Sequence, residues 1–157
     1  NDTVRYQFGF TVDVQTHPTI NEALGAASSA TNAIVVMPTP SADDGPWWAD
    51  VGGPDGLSVM ARLPVVPVPF ESVDTLALAP QLSDPVPFEW RVYVVSAKAQ
   101  TIFADWADGT VLATHTRQDG NIAALIALAP GGKVPADVLD IRAAGGYFAP
   151  LEHQTAA

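Results

Sequence analysis

The sequence predicts a mainly β fold: a single-domain antiparallel β-sandwich or jelly-roll-like barrel, with one short helix near residues 20–31 and long proline-rich loops. Three observations predict it. Several stretches alternate apolar and polar residues with the period of a strand. Fourteen prolines and twelve glycines in 157 residues punctuate the chain too often for a helical bundle. Turn dipeptides such as Asp108-Gly109 and Gly131-Gly132 separate the apolar runs.

The first alternating stretch is Thr3–Gln15. Val4, Tyr6, Phe8, Phe10, Val12 and Val14 occupy the even positions, and polar residues with Gly9 occupy the odd ones. A helical period of 3.6 would scatter this apolar row around the whole cylinder, so the pattern predicts a long half-buried strand. Thr16-His17-Pro18 reads as a turn, because a residue before proline is pushed out of the helical region. Thr19 and Glu22 form a capping box, and Ile20, Ala23, Leu24, Ala27 and Ala30 follow at helical spacing. A short helix over 20–31 is expected there, then a short strand over Ile34–Met37.

Residues 38–56 read as a long irregular loop rich in Pro, Asp and Gly, and loops of that length are usually functional or mobile. Leu57, Val59, Ala61 and Leu63 alternate as a strand. Pro64, Pro67 and Pro69 interrupt any ladder after it, so residues 63–87 are expected to form an extended arm. Val86, Phe88, Trp90, Val92 and Val94 predict a second long strand, a candidate neighbour of the first. Asp108-Gly109 predicts a hairpin between Ile102–Trp106 and Val111–Ala113, and Asp119-Gly120-Asn121 predicts another turn. Ile122–Leu128, apolar throughout, fits a buried strand or a short helix, and its flanking turns favour the strand. Val138–Ala143 and Tyr147–Leu151 read as the last strands, and Gln154–Ala157 as a frayed end. No internal repeat or composition shift divides residues 1–157, so one domain is expected, with 48% hydrophobic residues to supply its core.

Seventeen acids against seven bases give a formal charge of −10. Such a field repels polyanions, and the bases are scattered singly, so neither nucleic acid nor an anionic membrane is expected as a partner. The absence of cysteine removes disulfide and thiolate chemistry. No apolar run is long enough to span a bilayer as a helix, and no leader pattern is evident.

Catalytic signatures are sparse. His17, His115 and His153 are not in metal-binding spacing, no Gly-x-Ser-x-Gly or Ser-x-x-Lys motif occurs, and the paired glycines lack the spacing of a phosphate cradle. No cofactor is expected. Asp105, Asp108, Asp137 and Asp140 offer a weak carboxylate-pair pattern for glycoside hydrolysis. Asp43, Asp44, Asp50 and Asp55 crowd one loop and are weak calcium candidates, without the ordered register of an EF-hand. Trp47-Trp48 in the same loop is unusual. Such a pair serves as a core plug, as a partner contact or as a sugar platform, in that order of expectation. With Phe70, these two residues form the expected partner or ligand contact.

The expectation is therefore a non-enzymatic structural or assembly protein, its partners being itself or other subunits. A virion component (capsid, decoration or tail protein) fits by fold-level analogy, and a virion or extracellular setting is favoured. The alternatives are an extracellular module binding a glycan or calcium-dependent ligand through the Trp47/Trp48 loop, and a hydrolase on a β scaffold.

Overall fold

Residues 2–9, 11–53, 56–81 and 86–151 are described by a computed structural model. Its elements are helices α1 (Asp2–Phe8) and α2 (Ile20–Ser29) and strands β1 (Val35–Pro38), β2 (Leu57–Leu63), β3 (Thr75–Pro80), β4 (Trp90–Ala97), β5 (Gly109–Thr116), β6 (Ile122–Leu128) and β7 (Asp140–Tyr147). The strands form a single mixed sheet in the order β1-β3-β2-β7-β4-β6-β5. The sheet curls into a half-barrel. The mainly β expectation holds. The described strands all lie in this one sheet, which is not wholly antiparallel, because β2 and β7 run parallel.

That parallel junction is narrow. Val59 and Gly145 are its one registered pair, joining β1-β3-β2 to the four remaining strands. Gly145 has φ +96°, and a Cβ there would overlap the Val59 backbone. Glycine is what permits both the turn of backbone and the close approach.

The curl brings the two halves onto one core. Val35, Met37, Leu57, Val59, Leu76 and Leu78 from one half share a buried cluster with Val92, Val94, Leu125 and Ala127 from the other. A second cluster, Val95, Ala124, Ile126 and Leu128, lies under Phe103, Trp106, Val134 and Val138. Strand β6 is thus covered on both faces, which is why Ile122–Leu128 is continuously apolar and does not alternate.

The structure corrects the reading of the N-terminus. Residues 2–8 form a helix, so there are two short helices and not one. The alternating row finds no neighbouring strand there, and local helical hydrogen bonds satisfy the backbone instead. Gly9, at φ +99°, ends the helix, with its N–H bonded to the Arg5 carbonyl at 2.8 Å. Helix α1 buries no residue and is held from its sides. The Gln7 side chain accepts from the Val65 N–H at 3.0 Å and donates to the Val66 carbonyl at 3.2 Å. Tyr6 meets Phe70 edge to face at 6.0 Å.

Helix α2 follows its sequence signals closely. Thr19 caps it through a hydrogen bond from the Glu22 N–H, and its apolar side packs Ile20, Ala23, Leu24 and Ala27 on the core. Four further corrections concern strands. The 63–87 arm contains β3, whose Leu76, Ala77 and Leu78 are buried between β1 and β2. The second long strand begins at Trp90, and its neighbours are β6 and β7. Gln100–Phe103 is a 3-10 turn, so Ile102–Trp106 does not pair with β5; the hairpin partner of β5 is β6. The two expected last strands are one, β7. Residues 154–157 lie outside the described residues.

Candidate functional site

A curled sheet that does not close leaves two edge strands, here β1 and β5. They differ in how their outer edges are treated. Strand β1 has four residues, ends in Pro38 and is flanked by α2. Strand β5 has eight residues, Gly-Thr-Val-Leu-Ala-Thr-His-Thr, with no proline and no charged carboxylate, lysine or arginine. Short length, proline, charge and bulges are the usual guards of an edge, and β5 carries only the last of them. Its one interruption is a bulge between Val111 and Ala113.

The hairpin that places β5 also fixes which of its groups face outward. The Arg117 N–H donates to the Asn121 carbonyl at 2.8 Å, and the Gly120 N–H donates to the Arg117 carbonyl at 3.0 Å. With Gly120 at φ +84°, this is a type I turn closed by a glycine bulge. Asp119 steadies it by accepting from the Asn121 N–H at 2.9 Å. Alternation back from Arg117 puts His115 and Ala113 in hydrogen-bonded pairs with β6. It turns the N–H and C=O of Thr114 and Thr116 away from the sheet. Among the described residues, no hydrogen bond other than those to β6 reaches Thr110–Thr116.

Beside this edge lies a cleft of about 230 Å³ whose lining includes Pro40, Ser41, Pro46, Trp48, Leu112 and His115. Its far wall is the loop after β1, and that wall is firmly held. Trp48 is 2% exposed and packs in the main core. Arg142 of β7 donates to the Val51 carbonyl at 3.0 Å and also to the Ala49 carbonyl. Gly52 sits so close to β7 that a Cβ would overlap the Ala143 carbonyl. The cleft therefore has one wall of unpaired sheet edge and one wall of anchored, mainly apolar loop.

The residues singled out by sequence fall in different places. Trp48 lines the edge cleft from within, whereas Trp47, half-buried, lines a separate open groove of about 870 Å³ under α2. Asp43, Asp44 and Asp50 share that groove and are exposed. Asp44 accepts a 2.7 Å hydrogen bond from the Ser41 hydroxyl. Asp55 lies outside the described residues. Among the described residues, no three His, Asp or Glu side chains gather as a metal-binding group. Phe70, 37% exposed, lines neither hollow and instead contacts Tyr6 of α1.

Two of the other acidic candidates serve as local hydrogen-bond acceptors. Asp108 accepts from the Lys133 N–H at 3.0 Å through its carboxylate, and Asp140 accepts from the Ile141 N–H at 2.9 Å. Asp105 and Asp137 are exposed, as is His115, while His17 is half-buried and His153 lies outside the described residues. The strongest charged interaction lies elsewhere. Arg62 forks onto Asp74 at 2.6 Å and 3.0 Å, donates to the Tyr147 hydroxyl at 3.3 Å and covers the Tyr147 ring, which stacks on Trp90. The hydrogen bond to Asp74 holds the Arg62 pKa above its ordinary value, against the opposing effect of burial. This network fastens β2, β4 and β7 together.

The sequence reading missed the β5 edge. Its signal was present, since Gly109–Thr116 is an uncharged, β-branched run ending in a hairpin, but edge status depends on sheet order. No protein-family model, curated protein or solved structure was found to match the chain.

Proposed function

We propose that this protein is a non-enzymatic assembly subunit that associates with further copies of itself through the outer edge of β5. The observation that supports this reading is the proline-free, uncharged edge beyond the bulge: outward-facing Thr114 and Thr116 beside a cleft whose opposite wall is anchored. An edge of this kind takes up an extended segment by main-chain hydrogen bonding. Association would also complete the half-barrel, carrying it towards the closed barrel-like architecture expected from the sequence. Edge pairing places the contact on a strand that itself carries no carboxylate, which matters for copies that each carry a formal charge of −10. A place in a virion shell or tail suits such a subunit by analogy of architecture.

The test is the mass of the full chain by sedimentation or light scattering over a wide concentration range. Wild-type protein is expected to form oligomers at rising concentration. Thr114→Pro, which removes an outward N–H on an edge strand, and Thr116→Lys, which adds an edge charge, are expected to remain monomeric with a near-native melting temperature. A wild-type chain that stays monomeric throughout would contradict the reading.

A second reading draws on the groove under α2, where Trp47 stands beside Asp43, Asp44 and Asp50. An indole next to carboxylates suits a sugar, or a ligand bridged by calcium. It predicts that Trp47→Ala abolishes retention on immobilised glycans without loss of fold. Equal retention of the variant removes it.

A further inference from the structure

We infer that the occupant of the β5 edge cleft is the extended N-terminal segment Thr11–Gln15 of a second copy of this chain. The inference rests on the assembly reading above and names the partner surface within it.

Two unmatched halves of one interaction occur in the same molecule. The first is an edge without a strand. The second is a strand pattern without a sheet: the alternation that runs through Thr11–Gln15 is as regular as in any strand of the protein, yet these residues belong to no helix or strand. Among the described residues, no hydrogen bond from any partner reaches Thr11–Gln15. Val12 is 39% exposed, although the pattern assigns it to a buried row. Val14 is half-buried, so the chain's own fold uses only part of this row.

The two halves match in chemistry. On β5, Ala113 packs towards the main core, and His115 shares its face of the strand. A strand added at this edge would turn one of its rows towards the cleft, where Pro46 and Leu112 present apolar surface. Val12 and Val14 supply that row. Thr11, Asp13 and Gln15 then lie on the opposite face beside Thr114 and Thr116, where threonine pairs and solvent suit them. The lengths agree as well. The flat part of β5 beyond the bulge is Ala113–Thr116, and a five-residue donor spans roughly 17 Å at strand rise.

The arm is also built to be delivered. Gly9 ends α1 before the segment begins, and Pro18 with the Thr19 cap begins α2 after it. Each end is anchored on its own subunit, α1 through Gln7 and Tyr6 and α2 through its apolar face. Among the described residues, the backbone groups of Thr11–Gln15 are left for another chain.

The test uses the full-length protein, which has no native cysteine to interfere. Val12→Cys, Val14→Cys and Asp13→Cys are each mixed with a separately tagged His115→Cys chain and oxidised. Disulfides between differently tagged chains are expected for the Val12 and Val14 variants, with the Asp13 variant at least about tenfold lower, because strand neighbours on one face cross-link and those on opposite faces do not. Equal yields from all three, or no cross-links, would overturn the inference. So would cross-links that form only within one chain carrying both Val12→Cys and His115→Cys, because the donor would then be the same molecule.

A paired mass measurement separates this inference from the assembly reading. Val12→Asp is expected to weaken self-association at least about tenfold at near-native melting temperature, from loss of a valine buried in the contact and added like charge. If that variant assembles as wild type does while Thr114→Pro does not, the edge is the contact and the arm is not its partner. A wild-type monomer removes both.

Discussion

Arg142 on β7 donates a 3.0 Å hydrogen bond to the main-chain carbonyl of Val51, across 91 residues of sequence. With its bond to the Ala49 carbonyl, it satisfies the end of the 3-10 turn Trp47–Asp50 and fixes the loop that walls the edge cleft. Arg142→Met keeps much of the apolar stem and removes both bonds. It should lower stability by about 1–3 kcal/mol, as expected for hydrogen bonds from a charged donor. Urea titration with unchanged slope would measure it, and a loss under about 0.5 kcal/mol would mean that the loop is held by Trp48 alone.

The adjacent tryptophans should behave very differently. Trp48 is sealed in the core, so Trp48→Ala should cost about 3–5 kcal/mol. Trp47 is half-buried at the groove, and its truncation should cost less than half as much. Chemical denaturation of the two variants side by side checks the difference. Comparable losses would contradict the assignment of Trp48 as the plug.

Gly145 and Gly120 form a matched pair of tests. Both have positive φ, so alanine is strained at each, by about 1 kcal/mol. At Gly120 a Cβ meets open space, and that cost should be the whole effect. At Gly145 it collides with the Val59 backbone at the one pair joining β2 to β7. Gly145→Ala should therefore exceed Gly120→Ala by several kcal/mol or prevent folding. Near-equal melting temperatures would mean that the junction yields easily.

Arg62 gives a prediction about pH. Its folded-state pKa is raised, chiefly by the hydrogen bond to Asp74. A raised pKa means a contribution fully present below the unfolded-state value and lost only as pH climbs through the folded one. The stability difference between wild type and Arg62→Met should accordingly stay constant from neutral to mildly alkaline pH. Arg62 and Asp74 keep 32% and 44% side-chain exposure, so solvent screening limits that difference to about 1 kcal/mol. A difference that shrinks over this range would contradict the assignment to Arg62.

What the sequence made legible follows from what is local. The Thr19 cap, β2 and the Asp119-Gly120 turn depend on neighbours within a few residues, and each is where its residues placed it. Residues 2–8 and the β3 segment depend on what lies beside them in space. The first lacks a partner strand and coils into a helix, while the second, bracketed by prolines, is taken between β1 and β2. The β5 edge was hidden for the same reason: a strand becomes an edge through sheet order, which periodicity does not encode.

The proposed contact occupies the outer edge of β5 in the assembled protein. Amide hydrogen exchange of the full chain, read residue by residue at low and high concentration, tests it most directly. Thr114 and Thr116 should exchange rapidly in the dilute monomer and become protected as concentration rises, together with alternate amides of Thr11–Gln15. Thr114 and Thr116 amides that exchange at the same rate at every concentration, while oligomers form, would contradict it.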